Sequence, residues 1–112
     1  MKYICLVYGE EARIQSIRDQ ECINNSTVMK QRGQFIGGEA LRPVGTARTV
    51  RVRDGRLSVT DGPFTETKEQ LAGFYIIEAG DWDEAVAIAA AIPPARVGCV
   101  EVRPVRELQP DA

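Results

Sequence analysis

The chain has 112 residues, of which 44% are apolar and 27% charged, a composition typical of one globular domain and not of a disordered or fibrous protein. Fourteen basic against sixteen acidic residues give a net charge of −2, which excludes the strong basicity of a general nucleic-acid binder. The chain has no histidine, which excludes the usual catalytic triads and most zinc sites. We therefore expect no nucleic-acid partner, no metal and no other cofactor.

The N-terminus and the cysteines indicate a cytoplasmic protein. The apolar run over residues 3–8 is six residues long. That is too short for a signal peptide, and no stretch approaches the roughly 18 apolar residues of a membrane span, so we expect no membrane partner. Cys5, Cys22 and Cys99 are odd in number and form no Cys-x-x-Cys pair, so we expect reduced, buried thiols.

Hydrophobic periodicity, helix caps and chain breakers predict strands and helices along the whole chain. Gly33 ends the first main helix, Asp81 caps the second, and Pro93 stops it. In chain order, the predicted elements are strand 2–8, a helical turn within 10–17, helix 19–32, strand 35–41, hairpin strands 48–53 and 56–60, strand 71–78, helix 82–91 and strand 99–104. They form a single domain over residues 1–106, followed by a flexible tail, 107–112.

The two main helices offer different faces to a core. The stripe of the second helix that we expect to pack on the sheet consists of Trp82, Ala85, Ala89 and Ile92. The first helix has a polar middle over residues 24–27, which are poor helix formers. Two interpretations of that polar segment stay open, a cavity beside the helix or a solvated face.

Glycines mark a hairpin and a place of close strand packing. Asp54-Gly55 separates two alternating runs, which is typical of a two-residue β-hairpin. The register counted outward from this turn places one apolar face, which we expect to be buried, on the pairs Val52–Leu57 and Val50–Val59. Gly37-Gly38 lacks the Gly-Lys-Ser/Thr ending of a phosphate loop, so we expect close backbone packing there instead of nucleotide binding.

Two predicted strands, 2–8 and 71–78, are apolar on both faces, which is typical of strands covered on two sides. The element order predicts an α+β fold, a ferredoxin-like unit with an inserted β-hairpin. Two helices cover only one face of such a sheet. We therefore expect a second copy of the chain on the other face, in a homodimer packed sheet on sheet.

An ordered set of motifs resembles the DGPF-domain proteins of the YCII-related family. The matching segments are MKY (1–3), VRVRDG (50–55), DGPF (61–64), ETKEQLAG (66–73) and VEVRP (100–104). The resemblance implies a dimeric, ferredoxin-like α+β barrel with a pocket between sheet and helices. Some family members carry a His and Asp pair for acid–base or lyase chemistry, and this chain lacks that histidine. Bacterial members near extracytoplasmic-function sigma factors imply a protein partner of that kind.

The loop that follows the hairpin carries the candidate site. Asp61 and Glu66 are the predicted catalytic pair, because two carboxylates held close together repel and one of them then exchanges a proton near neutrality. The predicted ligand-binding residues are Lys68, Glu69, Phe64, Tyr8 and Tyr75. In the structural alternative, Asp61 caps the turn, Phe64 fills the core and the other charged residues form surface pairs.

Two functions are consistent with these observations. The first is a small cytoplasmic dimer that binds a small polar or anionic organic molecule, with lyase- or isomerase-type acid–base activity. The alternative is a non-catalytic binding or regulatory module that contacts a protein partner such as an extracytoplasmic-function sigma factor. The absence of histidine favours the second function, and the charged loop favours the first.

Overall fold

The computed structural model describes residues 1–111, and the helices and strands in this part of the chain follow the predicted order. Their bounds are β1 (Lys2–Gly9), α1 (Glu11–Ile14), α2 (Asp19–Gln31), β2 (Phe35–Ala40), β3 (Arg48–Arg53), β4 (Arg56–Asp61), β5 (Gln70–Glu78), α3 (Trp82–Ala90) and β6 (Cys99–Pro104). Two 3₁₀ turns, Val44–Thr46 and Pro93–Arg96, lie in the connections. Residues 107–111 of the predicted tail form no helix or strand, and Ala112 lies outside the described residues.

Four strands form an antiparallel sheet in the order β2-β5-β1-β6. Strand β1 lies in the centre and pairs with both β5 and β6, so the first and last strands of the chain are neighbours. The β3–β4 hairpin forms a separate two-stranded sheet, inserted in the chain between β2 and β5. The molecule is therefore an α+β protein with a ferredoxin-like unit and an inserted hairpin, as predicted.

The core lies on one face of the sheet, beneath helices α2 and α3. Alternate residues of β1 point to this face, and Tyr3, Cys5 and Val7 are almost fully buried. The helices contribute Met29 from α2 and the small or branched residues of α3 and its C-terminal end, Ala85, Ile88, Ala89 and Ile92. Alanine side chains let α3 approach the sheet closely, and the Asp81 carboxylate accepts a hydrogen bond from Glu84 N, 2.8 Å away, as the helix cap.

The opposite face of the sheet is apolar, and no helix of residues 1–111 lies on it. Ile4 pairs with Ile76 and Leu6 with Phe74 across β1 and β5, and all four side chains are only partly buried. We call this surface the open face. The prediction that two helices cover a single face of the sheet is confirmed.

The hairpin has the predicted register, but within one chain its apolar face is exposed and not buried as predicted. Asp54 and Gly55 have φ of 51° and 74°, the left-handed angles that the two-residue turn requires. The predicted pairs Val50–Val59 and Val52–Leu57 are present. These four side chains are 52–69% exposed, because no other described helix or strand packs on the hairpin. The Cα radius of gyration is 16.0 Å. This exceeds the about 13 Å of a compact chain of this length.

Three side chains are more exposed than predicted. Trp82 is 49% exposed, because it lies at the first position of α3. Its ring contacts the ring of Tyr3 edge-on, with 5.2 Å between the centroids. All three cysteines are free thiols, but only Cys5 is fully buried, while Cys22 is half-buried and Cys99 exposed on edge strand β6. Among residues 1–111, no helix is both long and apolar enough to cross a membrane.

Candidate functional site

Neither of the two predicted catalytic carboxylates lines a cavity described below. The Asp61 side chain is 94% exposed at the end of β4, and its Oδ1 lies 3.7 Å from Nε of Arg48. Glu66 is exposed in the loop that follows, between Thr65 and Thr67, which line a cavity that Glu66 does not. The catalytic pairing of Asp61 and Glu66 stays a prediction.

Lys68 and Glu69 have local partners instead. Lys68 Nζ lies 3.3 Å from Oε1 of Glu10, in an exposed pair that ties the loop to the end of β1. The carbonyl of Glu69 accepts a hydrogen bond from Oγ1 of Thr67 at 2.6 Å. The Lys68 contact matches the surface-pair alternative for this residue.

Tyr8 and Phe64 are brought together by a cavity of about 730 Å³ on the open face. We call it the open-face cavity. Its principal lining residues are Tyr8, Leu41, Arg42, Phe64, Leu71 and Glu101. The alternative that Phe64 fills the core is wrong, because this side chain is 76% exposed, with the guanidinium carbon of Arg51 5.3 Å from its ring centroid.

Tyr75 lies on the other face of the sheet, beside the helices. Three adjoining cavities of about 310, 120 and 290 Å³ run between the sheet and helices α1 and α2, and together we call them the sheet–helix cleft. The first two cavities share the lining residues Ile14, Ile17 and Asp19. The second and third share Cys22, Glu39, Ala40 and Tyr75. The cleft has the place in the fold that the family resemblance implies for a pocket.

Two hydrogen-bond donors inside the cleft have shifted pKa values. The hydroxyl of Tyr75 lies beside Ser26 and Cys22, and burial raises its pKa above the ordinary value of 10.0. Burial, followed by the charges of Asp19 and Glu21, raises the pKa of the Cys22 thiol above 9.0. Both groups are therefore protonated at neutral pH, and Cys22 is a donor and not a thiolate nucleophile.

Aromatic rings and one positive charge lie at the mouth of the cleft. The rings of Phe35 and Tyr75 meet edge-on with centroids 6.3 Å apart, and Nζ of Lys30 lies 4.9 Å from the Phe35 centroid. Glu39 lines the cleft on edge strand β2, but it pairs with Phe74, so its side chain lies on the open-face side of the sheet. Among residues 1–111, no three Cys, Asp or Glu side chains lie close enough together to hold a metal ion.

A bidentate ion pair fixes helix α2 at the cleft. Nη2 of Arg96 donates to Oε2 of Glu21 at 2.8 Å, and Nη1 donates to Oε1 at 2.5 Å. The hydrogen bond from Arg96 lowers the pKa of the Glu21 carboxyl. This pair joins the first turn of α2 to the segment that follows α3, so the helix that carries Cys22 and Ser26 is held at both its packing face and its N-terminal end.

Sequence reasoning selected Tyr75 and missed its neighbours Cys22, Ser26 and Glu39. The available signal was the polar segment 24–27, for which a cavity was one of two open interpretations. Ser26 and Thr27 line the cleft, whereas Asn24 is exposed to solvent, so each interpretation holds for part of the segment.

Comparison with known protein families matches the YCII-related domain over residues 1–109. The chain belongs to the YCII-related family. A relative of this YCII-related protein in Rhizobium meliloti (strain 1021), an uncharacterised protein, is 35% identical over 119 aligned residues. The alignment covers 98% of this chain and 96% of the relative. The family match is to the YCII-related domain as a whole, and the DGPF designation stays an interpretation of residues 61–64.

A solved structure has a similar fold at low sequence identity. It is 5-chloro-2-hydroxyhydroquinone dehydrochlorinase (TftG) from Burkholderia phenoliruptrix AC1100, in complex with 2,5-dihydroxybenzoquinone. The TM-score is 0.57 and the identity 15%, over 95% of this chain and 94% of the other. At this identity the likeness supports the α+β fold and nothing finer.

Proposed function

We propose that this YCII-related protein binds a small polar ring compound in the sheet–helix cleft. The observation that carries the proposal is the cluster of Cys22, Ser26 and Tyr75, three protonated donors in one concave site that also has apolar and aromatic lining residues. Small-molecule sites typically combine an apolar lining with a few polar groups that fix orientation. Titrating groups with shifted pKa values in a cleft are a further mark of such sites.

We choose the class of ligand by analogy with the fold relative. Its printed complex contains 2,5-dihydroxybenzoquinone, a small ring with polar substituents. In this chain, Phe35 and Tyr75 supply aromatic surface for such a ring, and the hydroxyl and thiol groups supply donors for its oxygens.

The same cleft supports proton transfer of the lyase or isomerase type. The Tyr75 hydroxyl donates a hydrogen bond or a proton to a developing negative oxygen in such a reaction. In this proposal Tyr75 replaces Asp61 and Glu66 as the residue that carries the chemistry.

Isothermal titration calorimetry with 2,5-dihydroxybenzoquinone tests the binding proposal. We expect the wild type to bind and Tyr75→Phe to bind about tenfold more weakly, because one hydrogen bond is lost. Glu66→Gln is the matched control, an exposed carboxylate outside the cleft, and is expected to bind as the wild type does. Intact-mass measurement excludes covalent addition to a cysteine. No heat of binding at millimolar quinone, or equal affinities for all three proteins, contradicts the proposal.

We propose in addition that the protein is a homodimer in which a second copy covers the open face and the hairpin. Both surfaces are apolar and uncovered in the described residues: Ile4, Leu6, Phe74 and Ile76 on the sheet, and Val50, Val52, Leu57 and Val59 on the hairpin. The exposed hairpin also favours the second candidate function, an interaction module. A sigma-factor partner stays a prediction.

A further inference from the structure

Helix α2 carries a polar stripe on the side that lines the sheet–helix cleft. The stripe consists of Asp19, Cys22, Ser26 and Lys30, which follow one another at spacings of three or four residues and so share one side of the helix. Each of them lines one or both of the cavities that Tyr75 also lines. A helix that packs on a sheet usually has apolar residues at such positions. The stripe therefore supplies polar groups to the cleft in place of core packing.

The two charged residues of the stripe lie near opposite ends of the helix. Asp19 is the first residue of α2 and Lys30 lies in its last turn, so eleven residues and about 16 Å of helix rise separate them. Asp19 lines the smaller of the two cavities, and Lys30 lines only the larger one. Burial, and after it the charge of Asp19, raises the pKa of Cys22, so the carboxylate acts on that end of the donor cluster. The stripe is therefore negative where α2 begins and positive where it ends.

The ammonium of Lys30 lies over the aromatic surface of the cleft. Its Nζ is 4.9 Å from the centroid of the Phe35 ring, which meets the Tyr75 ring edge-on at 6.3 Å. Lys30 forms no salt bridge with another described residue. The other charged residue of this cavity, Glu39, has its side chain on the opposite side of the sheet. The positive charge is therefore available to a ligand.

We propose that Lys30 selects ring compounds that carry an acidic group and binds that group at the mouth of the cleft. The inference rests on the proposed binding of a small polar ring there. A lysine ammonium is a compact charge on a flexible stem, so it accommodates either a carboxylate or an ionised ring oxygen. The cleft lies on the helix side of the sheet, and the site stays accessible when a second copy covers the open face.

The spacing of the stripe gives the ligand one preferred orientation. The helix rises about 6 Å from Ser26 to Lys30. A six-membered ring with oxygen substituents is of similar length, so one oxygen meets the hydroxyls of Ser26 and Tyr75 while the acidic group lies near the ammonium. Asp19 repels an anion and disfavours the reversed orientation.

Calorimetric titration with 2,5-dihydroxybenzoate and 2,5-dihydroxybenzamide tests the selection, because the two rings differ only in one charged or neutral substituent. We expect the wild type to bind the carboxylate more tightly than the amide. Lys30→Gln weakens binding of the carboxylate about fivefold and leaves binding of the amide unchanged, whereas Lys30→Arg keeps the preference. The control is Arg32→Gln, which removes an exposed positive charge beside the same end of α2 but outside the two cavities, and binds both rings as the wild type does.

The outcomes separate this inference from the proposal on which it rests. Equal affinity of the wild type for the two rings, or equal loss in Lys30→Gln and Arg32→Gln, overturns selection by Lys30. Equal weakening of both rings by Lys30→Gln also overturns it, because the side chain would then act through packing. In each of these cases, weaker binding of both rings by Tyr75→Phe leaves the cleft proposal intact. Failure of both rings to bind the wild type at millimolar concentration overturns selection by Lys30 and the cleft proposal together.

Discussion

Gly38 lets strand β2 approach Tyr75 closely enough to close one side of the cleft. A Cβ added at this position would lie 2.8 Å from the carbonyl oxygen of Phe74 and 3.0 Å from Cδ1 of Tyr75. We predict that Gly38→Ala lowers the free energy of unfolding by about 1–3 kcal/mol, because backbone cannot yield to an overpacked atom as a flexible side chain does. Urea denaturation measures the change.

Gly37 provides the matched control for that prediction. A Cβ at Gly37 meets no atom within 4 Å, so Gly37→Ala is expected to leave stability nearly unchanged. If both variants lose the same stability, the close approach at Gly38 does not determine the effect. The sequence-based expectation of close packing thus holds for the second glycine of the pair and not for the first.

Burial of Cys5 makes the free energy of unfolding depend on pH in the alkaline range. Burial raises the pKa of this thiol from 9.0 to about 11. The unfolded chain releases the proton first, so the free energy of unfolding falls as pH rises from 9 to about 11, by on the order of 2 kcal/mol. We predict that Cys5→Ala, although less stable at neutral pH, shows a shallower decline over this range in urea denaturation. A decline as steep as that of wild type would show that another group controls it.

The sequence does not show which cavity or partner each candidate side chain has in the folded chain, and this limited the prediction of the site. Tyr8, Phe64 and Tyr75 were selected as ligand contacts, and all three line cavities, but on opposite faces of the sheet. The carboxylates of the DGPF loop were grouped by proximity in sequence, and local charge patterns do not show that Asp61 has an exposed arginine partner. Cys22 gave no signal of its own, because its half-buried place depends on how α2 packs.

Among the elements, the β3–β4 hairpin is the least supported by the rest of the molecule. An isolated two-stranded hairpin is marginally stable in water, so its amides exchange with solvent by local opening unless another chain covers it. If a second copy packs there, we predict that hydrogen-exchange protection of the hairpin rises with protein concentration while that of β1 does not. Hairpin protection that is independent of concentration would contradict coverage by a second copy.

Element boundaries were predictable because their signals are local. Helix α2 ends at Gln31, one residue before the predicted end, and Gly33 follows with a φ of 68°. The hairpin register follows from two turn residues. Burial of the hairpin face was not predictable in the same way. The alternation of apolar and polar residues predicts which side chains share a face of the hairpin. Whether another element covers that face depends on tertiary or quaternary packing.

At the scale of the whole molecule, the two apolar faces of the sheet predict association. We expect sedimentation equilibrium at micromolar concentration to show a species of twice the 12.3 kDa chain mass, with an interface on the order of 1,600 Å². Val52→Lys places a charge on the hairpin face and is expected to weaken association. Val86→Lys is the control, since Val86 is similarly exposed, at 54%, on helix α3. A wild-type species of 12.3 kDa alone would contradict the dimer.

We propose that 2,5-dihydroxybenzoquinone binds in the sheet–helix cleft and not on the loop over residues 61–69. Two-dimensional amide NMR during titration with 2,5-dihydroxybenzoquinone tests it most directly, because it reports every backbone position in one experiment. We predict that the largest shift changes occur at Cys22, Ser26, Glu39 and Tyr75. Changes confined to residues 61–69, or none at saturating probe, would contradict the account.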